Sequence, residues 1–180
     1  FVKAVYQKDS ERIIVFELEK EQLYLLIIEL YSKGNIILTD AHFHIIGVLE
    51  QHVWKDRTIK VGLEYKFPTS LVNWKTITPK LLMSTIAKSE KKNIATSLAM
   101  DIGLGGVYAE DLCSRASVDK DKLPAAIDAK EGKVLMKHLQ EMRTLLEKPQ
   151  GHIYTQQITP FPLKSGELIT ITPTYNEAID

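Results

Sequence analysis

This sequence lacks the means for internal disulfides, has no membrane-length apolar run and carries no net charge. Its single cysteine, Cys113, excludes a disulfide framework and fits a reducing compartment. Cys113 sits in a helical pattern and reads as a small buried apolar residue rather than a nucleophile. No apolar run approaches the roughly 20 residues that a membrane helix needs. Lysine plus arginine equals aspartate plus glutamate at 23 each, so a nucleic-acid-binding role has to rest on local patches. Residues 1–76 carry ten charges of each sign and residues 77–150 twelve basic against ten acidic, too small an excess to decide anything. Also absent are a secretory leader pattern, a Gly-x-x-x-x-Gly-Lys phosphate loop and a nucleophile elbow around serine. Nothing predicts a self-contained enzyme, so no catalytic residue and no cofactor is expected. The chain opens on Phe1 inside a strand pattern and reads as part of a longer protein.

What is present is 44% apolar composition over 180 residues, enough for a sizeable core. The expected class is α+β, in three stretches. Residues 1–75 read as an antiparallel β-meander. Val2, Ala4 and Tyr6 alternate with polar neighbours, and Arg12 to Leu18, Gln22 to Tyr31, Ile36 to Thr39 and His44 to Leu49 follow as short apolar runs. Glu19-Lys20-Glu21, Ser32-Lys33-Gly34-Asn35 and Asp40-Ala41 join them, and connections that short require antiparallel neighbours. Leu25 to Ile28 shows no polar alternation and predicts a strand covered on both faces. Residues 51–76 lose the pattern and read as a long ordered loop with at most one short strand. Residues 76–148 read as helical. Thr78-Pro79 and Asn93 are helix starts, and Leu135, Leu139, Met142 and Leu146 follow 4-3-4 spacing. Residues 149–180 return to β character, expected to pack back on the first sheet, and close on the start of another helix.

One stretch stands out for chemistry. Gly103-Leu104-Gly105-Gly106 separates two helical patterns and fits Gly-hydrophobic-Gly-x-x-x-Ala, ending at Ala109. Glycine takes positive φ without steric cost, so a tight reversal is expected here. Two readings stay open. The amides opening the next helix could hold a phosphate, or the hinge could be a packing corner that needs small residues. Lys88, Lys91 and Lys92, with Lys120 and Lys122, could flank it and grip a nucleic-acid backbone, or they could be a solvated helix surface with interleaved acids. Glu11-Arg12, opening the first strong strand, could anchor a phosphate or a partner, or be ordinary surface charge. His42 and His44 are expected on one face of a strand, a spacing that metals accept. No cysteine or closely spaced carboxylate accompanies them, so no metal site is expected.

Two stretches together resemble a known family. Gly34-Asn35-Ile36-Ile37-Leu38-Thr39-Asp40 resembles a signature of the NFACT proteins, and residues 97–116, with the glycine hinge at their centre, resemble that family's helix-hairpin-helix segment. Asp9-Ser10-Glu11-Arg12 resembles the strand start where the family carries Asp-Arg. Tyr175 to Asp180 resembles the point where its coiled coil begins. The resemblance implies ribosome quality control factors, also known under an older label as fibronectin-binding proteins. It implies a β domain like the N-terminal part of formamidopyrimidine-DNA glycosylases, followed by a helix-hairpin-helix module. It further implies binding of the obstructed large ribosomal subunit and of tRNA, supporting C-terminal tailing of stalled chains, in the cytoplasm and without a membrane. Carried over, Glu11 and Arg12 stand at the tRNA-recognising pair, with glutamate where aspartate is usual. Gly103, Gly105, Gly106, Lys88, Lys91 and Lys92 are then candidate RNA contacts. A β domain of this kind lacking its first half would leave an unpaired sheet edge, through which the chain could self-associate. Two rivals come from other classes. A DNA-lesion glycosylase relative would need an N-terminal catalytic proline and a nearby acid, neither of which is visible here. A fibronectin-binding surface adhesin would need an export signal.

Overall fold

The computed structural model describes all residues except 32, 55, 56 and 69–71. Ser32, counted above among the turn residues, lies outside the described residues. The chain divides into two compact units, Phe1–Ser70 and Leu71–Asp180.

In the first unit β1 (Val2–Gln7), β2 (Ile13–Glu19), β3 (Leu23–Glu29), β4 (Asn35–Asp40) and β5 (Ile45–Val48) pair in chain order as an antiparallel meander. Asp9 (φ 51°) and Gly34 (φ 75°) take left-handed conformations in the β1–β2 and β3–β4 turns, which tight hairpins require. Side-chain alternation places Ile13, Val15, Leu25, Ile27, Ile37 and Ile45 on one face, none more than 4% exposed. Ile59 and Tyr65 close that face, with Phe43 and Phe67 packed at its border. On the other face of β3, Tyr24, Leu26 and Ile28 are only half-buried. The strand is therefore fully covered on one side, not on both as its uninterrupted apolar run predicts. The described residues of the stretch 51–76 hold two short strands rather than one. β6 (His52–Val53) and β7 (Thr58–Ile59) form a short hairpin, and His44 bridges Glu64. Among the described residues β1 is an edge strand, paired with β2.

The second unit opens as its capping residues predict. Thr78 accepts the Leu81 amide at 3.3 Å and starts α1 (Pro79–Ala87), and Asn93 accepts the Thr96 amide at 2.9 Å and starts α2 (Ile94–Met100). α3 (Gly106–Ala116) follows the hinge, and α4 (Ala129–Leu145) opens on a capping box between Asp128 and Glu131. Leu82, Ile86, Leu98, Leu112, Leu135 and Leu139 form a common core. Each buried side chain of this size contributes about 1.5–3 kcal/mol over an exposed one. α1 and α4 approach closely through Gly132, where a Cβ would lie 1.9 Å from the Met83 sulfur.

The returning segment builds a sheet within the second unit. β8 (Gly151–Tyr154) is flanked by β9 (Ile158–Thr159) and β10 (Leu168–Thr172) in a sheet of its own. The proline-bounded piece between β9 and β10 is a loop whose Phe161 is buried in the helical core. α5 (Tyr175–Ile179) ends the chain, with Ala178 so close to Gly151 that a Cβ there would lie 2.3 Å away. No helix among the described residues is long and apolar enough to cross a membrane.

Candidate nucleic-acid interface

Glu11 and Arg12 sit at the β1–β2 turn. The turn is closed by Glu11 N to Lys8 O at 2.9 Å and Lys8 N to Ile13 O at 2.9 Å. Arg12 is held through its backbone, its carbonyl accepting the Leu30 amide at 2.7 Å. Its guanidinium is exposed and makes no hydrogen bond or ion pair among the described residues. A strong, permanently charged donor set is thus presented to solvent from a fixed backbone.

The glycine hinge has the geometry expected. Gly103 has φ 76°, Leu104 is 5% exposed, and the amides of Leu104 and Gly105 return to Leu98 O and Ala99 O at 3.2 Å each. Gly105 caps α3 at φ 82°, ψ 155°, with no side chain to satisfy the first amides. Ala109 is completely buried, as the close packing of two helices demands. The Gly105 conformation is accessible essentially to glycine alone. Gly105→Ala is therefore expected to cost about 1–3 kcal/mol in urea unfolding. Gly106→Ala should leave the midpoint nearly unchanged, because that residue has an ordinary φ and open space where a Cβ would go.

An open groove of about 400 Å³ runs beside the start of α3, lined by Gly106, Lys92, Asn93, Thr96, Met100 and Lys120 among others. It brings together Gly106 and Lys92 from the candidate set. Gly103 and Gly105 shape the hinge without lining the groove. Lys88 is exposed at the end of α1. Lys91 is turned to Asp101 at 3.8 Å, whose carboxylate also accepts the hydroxyls of Ser89 at 2.6 Å and Ser97 at 3.1 Å. Lys120 is drawn to Glu110 at 2.7 Å. Lys122 is bound to Glu131 at 2.6 Å, away from the groove.

The histidine pair is not a strand feature. His42 lies in the β4–β5 turn, where the Asp40 carboxylate accepts the amides of His42 at 2.8 Å and His44 at 2.9 Å, and Phe43 takes φ 65°. Those hydrogen bonds hold the Asp40 carboxyl below the usual range. No group of three or more metal-ligating side chains occurs among the described residues.

The first unit also contains a constellation that sequence inspection missed. Glu29, 2% exposed at the end of β3, is ion-paired with Arg57 and accepts the Tyr65 hydroxyl at 2.9 Å. Arg57 also donates to the Tyr31 hydroxyl at 2.8 Å and to Lys66 O at 2.6 Å. Its guanidinium lies 4.9 Å from the Tyr65 ring centre and 5.8 Å from that of Trp54. The row continues in both directions. Trp54 stands 4.8 Å from His52, Tyr65 stands 5.1 Å from Phe67, and Lys8 lies 5.4 Å over Phe67. A row of rings and cations thus runs from the Arg12 turn to the β6–β7 hairpin. The one local signal was Glu29 ending an otherwise apolar strand.

A family model described as NFACT N-terminal and middle domains matches residues 1–180. The chain belongs to the NFACT family. An archaeal Rqc2 homolog from Methanocaldococcus jannaschii is 31% identical over 128 residues, 66% of this chain but 18% of that relative. The fold is shared with two solved structures. The fibrinogen binding protein from Staphylococcus aureus matches with TM-score 0.74 at 17% identity, over 99% of this chain and 68% of that one. The N-terminal part of the fibronectin/fibrinogen-binding protein from Streptococcus suis matches with TM-score 0.68 at 19% identity, over 99% and 66%. At such identities the likeness is one of fold, and it supports the α+β architecture of this NFACT chain.

Proposed function

We propose that this chain is a non-catalytic, RNA-binding part of a ribosome quality control factor. The whole protein would engage the obstructed large ribosomal subunit and tRNA in the cytoplasm and support C-terminal tailing of stalled chains, the chemistry being the ribosome's. The observation that carries this reading is the unpartnered, exposed Arg12 on a rigid hairpin, in a chain that the family model matches from end to end. Arg12 and Glu11 contact tRNA, Arg12 through phosphate and Glu11 through donors on base or ribose. The α2–hinge–α3 unit acts as a helix-hairpin-helix. Its Gly106 amide and Lys92 meet backbone phosphate, Lys88 and Lys91 add charge nearby, and Gly103 and Gly105 give the hinge its shape. The β1 edge offers a route to self-association.

The test is binding of tRNA by this chain and of stalled large subunits by the full-length protein, each across a salt series. Affinity should fall steadily with salt. Arg12→Ala should weaken tRNA binding roughly tenfold and reduce the salt slope by about one. Loss of co-sedimentation with stalled subunits even at low salt, or binding to fibronectin without binding to RNA, overturns the reading.

A further inference from the structure

Trp54 keeps 46% of its surface in water, and its neighbour Val53 is 79% exposed. A tryptophan left so open gives up much of the burial that usually fixes this residue in a core. It is nevertheless held. The backbone closes the hairpin from Trp54 N to Arg57 O at 2.8 Å. The His52 ring lies 4.8 Å away at 32°, and the Arg57 guanidinium lies 5.8 Å from the ring centre. Arg57 is itself locked by Glu29, Tyr31 and Lys66 O. The result is an aromatic surface that loses little conformational freedom when something lands on it.

Its surroundings indicate what that is. The row of rings and cations ends on Lys8, in the turn that also carries the unpaired Arg12. A half-exposed indole at one end of a row whose other end lies in the turn of the unpaired Arg12 suits the π-face of a base and its phosphate. A protein partner would instead call for a contiguous apolar pocket at the centre of the patch, whereas Trp54 lies beside Arg57 and beside His52, which pairs with Glu50 at 3.4 Å.

We propose that Trp54 is a stacking site for an unpaired base of the RNA held at the Arg12 turn, which selects single-stranded or looped segments over duplex. This rests on the RNA-binding reading and specifies which part of the RNA the first unit grips. Arg57 acts as a positioning residue beneath the site.

The test is a titration with a short single-stranded RNA and with the same RNA annealed to its complement, read by tryptophan fluorescence and by anisotropy of a labelled strand. The wild-type protein should show quenching with the single strand and little with the duplex. Trp54→Phe should bind the single strand within a few-fold of wild type but lose the quenching, leaving only the Trp74 signal. Trp54→Ala should bind roughly tenfold more weakly while still melting cooperatively, with a modest loss from the contacts it makes with His52 and Arg57. If wild type binds tRNA and the single strand but its fluorescence does not change, or if Trp54→Ala binds as tightly as wild type, this inference falls and the RNA-binding reading stands. Fluorescence that responds only to a protein partner also overturns it. If wild type binds no RNA at low salt, both fall.

Discussion

Arg57→Ala is expected to remove about 3–5 kcal/mol from the stability of the first unit, because it strands a buried carboxylate. Glu29 is 2% exposed and the Arg57 side chain 11% exposed. Without the guanidinium, Glu29 keeps phenol donors, Tyr65 at 2.9 Å and Tyr31, but no counter-ion among the described residues, and Lys66 O loses its donor. For a unit of this size the melting temperature should fall by at least about 10 °C. Arg57→Lys should recover little, since one ammonium cannot replace a planar fork serving three acceptors. The pair is not itself a large net gain over apolar packing. The double variant Glu29→Leu with Arg57→Met should therefore be far less damaged than Arg57→Ala alone, and the coupling energy from the four proteins measures the difference. A cycle in which the single and double variants lose equal stability would contradict this account. The same cluster sets an alkaline limit. Burial pushes the Tyr31 phenol up to about 12 and the Tyr65 phenol higher, with the Glu29 charge adding to both. A phenol whose native pKa is raised holds its proton more tightly in the folded state. Its stabilisation is complete below the ordinary value near 10 and is lost as pH rises through about 12. Urea midpoints should be flat up to about pH 9 and then fall, and Tyr31→Phe should blunt that fall.

Local order was legible from the chain because its causes are local. Thr78, Pro79 and Asn93 cap the helices that follow them, the alternation of Ile13 and Val15 or Leu25 and Ile27 sets one sheet face, and the glycines at 103 and 105 take the positive φ expected of them. What failed depends on partners far along the chain. Glu29 meets Arg57 and Tyr65 only after residues 51–67 fold back over the sheet. Those residues look patternless because their apolar members, Ile59, Tyr65 and Phe67, pack singly rather than along one face. The short strand β8 carries no local mark of its partners, so nothing in it announced the pairing with β9 and β10. His42 was misplaced because the Asp40 side chain competes for two backbone amides and turns the chain. At the candidate interface, Arg12 was singled out by likeness to a family motif, since a lone arginine at a strand start is chemically ordinary. Which lysines are free was not legible at all. Among the described residues Lys91 and Lys120 have acidic partners and Lys88 and Lys92 do not, a matter of tertiary placement rather than composition.

Asp111→Ala should be comparably severe in the second unit, for a related reason. Asp111 lies on the buried face of α3 at 3% exposure, a position that helical periodicity would assign to an apolar residue. One carboxylate oxygen accepts Arg115 Nε at 2.6 Å and the other accepts the Lys164 amide at 2.6 Å. Arg115 in turn donates to Pro162 O and lies 5.8 Å from the centre of the Phe161 ring. Phe161 is 3% exposed in the helical core, against Tyr108 at 5.3 Å. One carboxylate thus fastens the loop after β9 onto α3 and holds Phe161 in place. Alanine would leave the Arg115 side chain, 12% exposed, without its counter-ion and the Lys164 amide without its acceptor. A loss of about 3–5 kcal/mol is expected. Asp111→Asn keeps an acceptor for the Lys164 amide and should lose less. Hydrogen exchange locates the damage. In Asp111→Ala the Lys164 and Leu163 amides should lose protection before those of α4, because Leu163 donates to Tyr154 Oη at 2.8 Å within the same loop. Unchanged protection of that loop, with stability lost evenly across α1 to α4, would mean that Asp111 acts through helix packing and not as the clasp described.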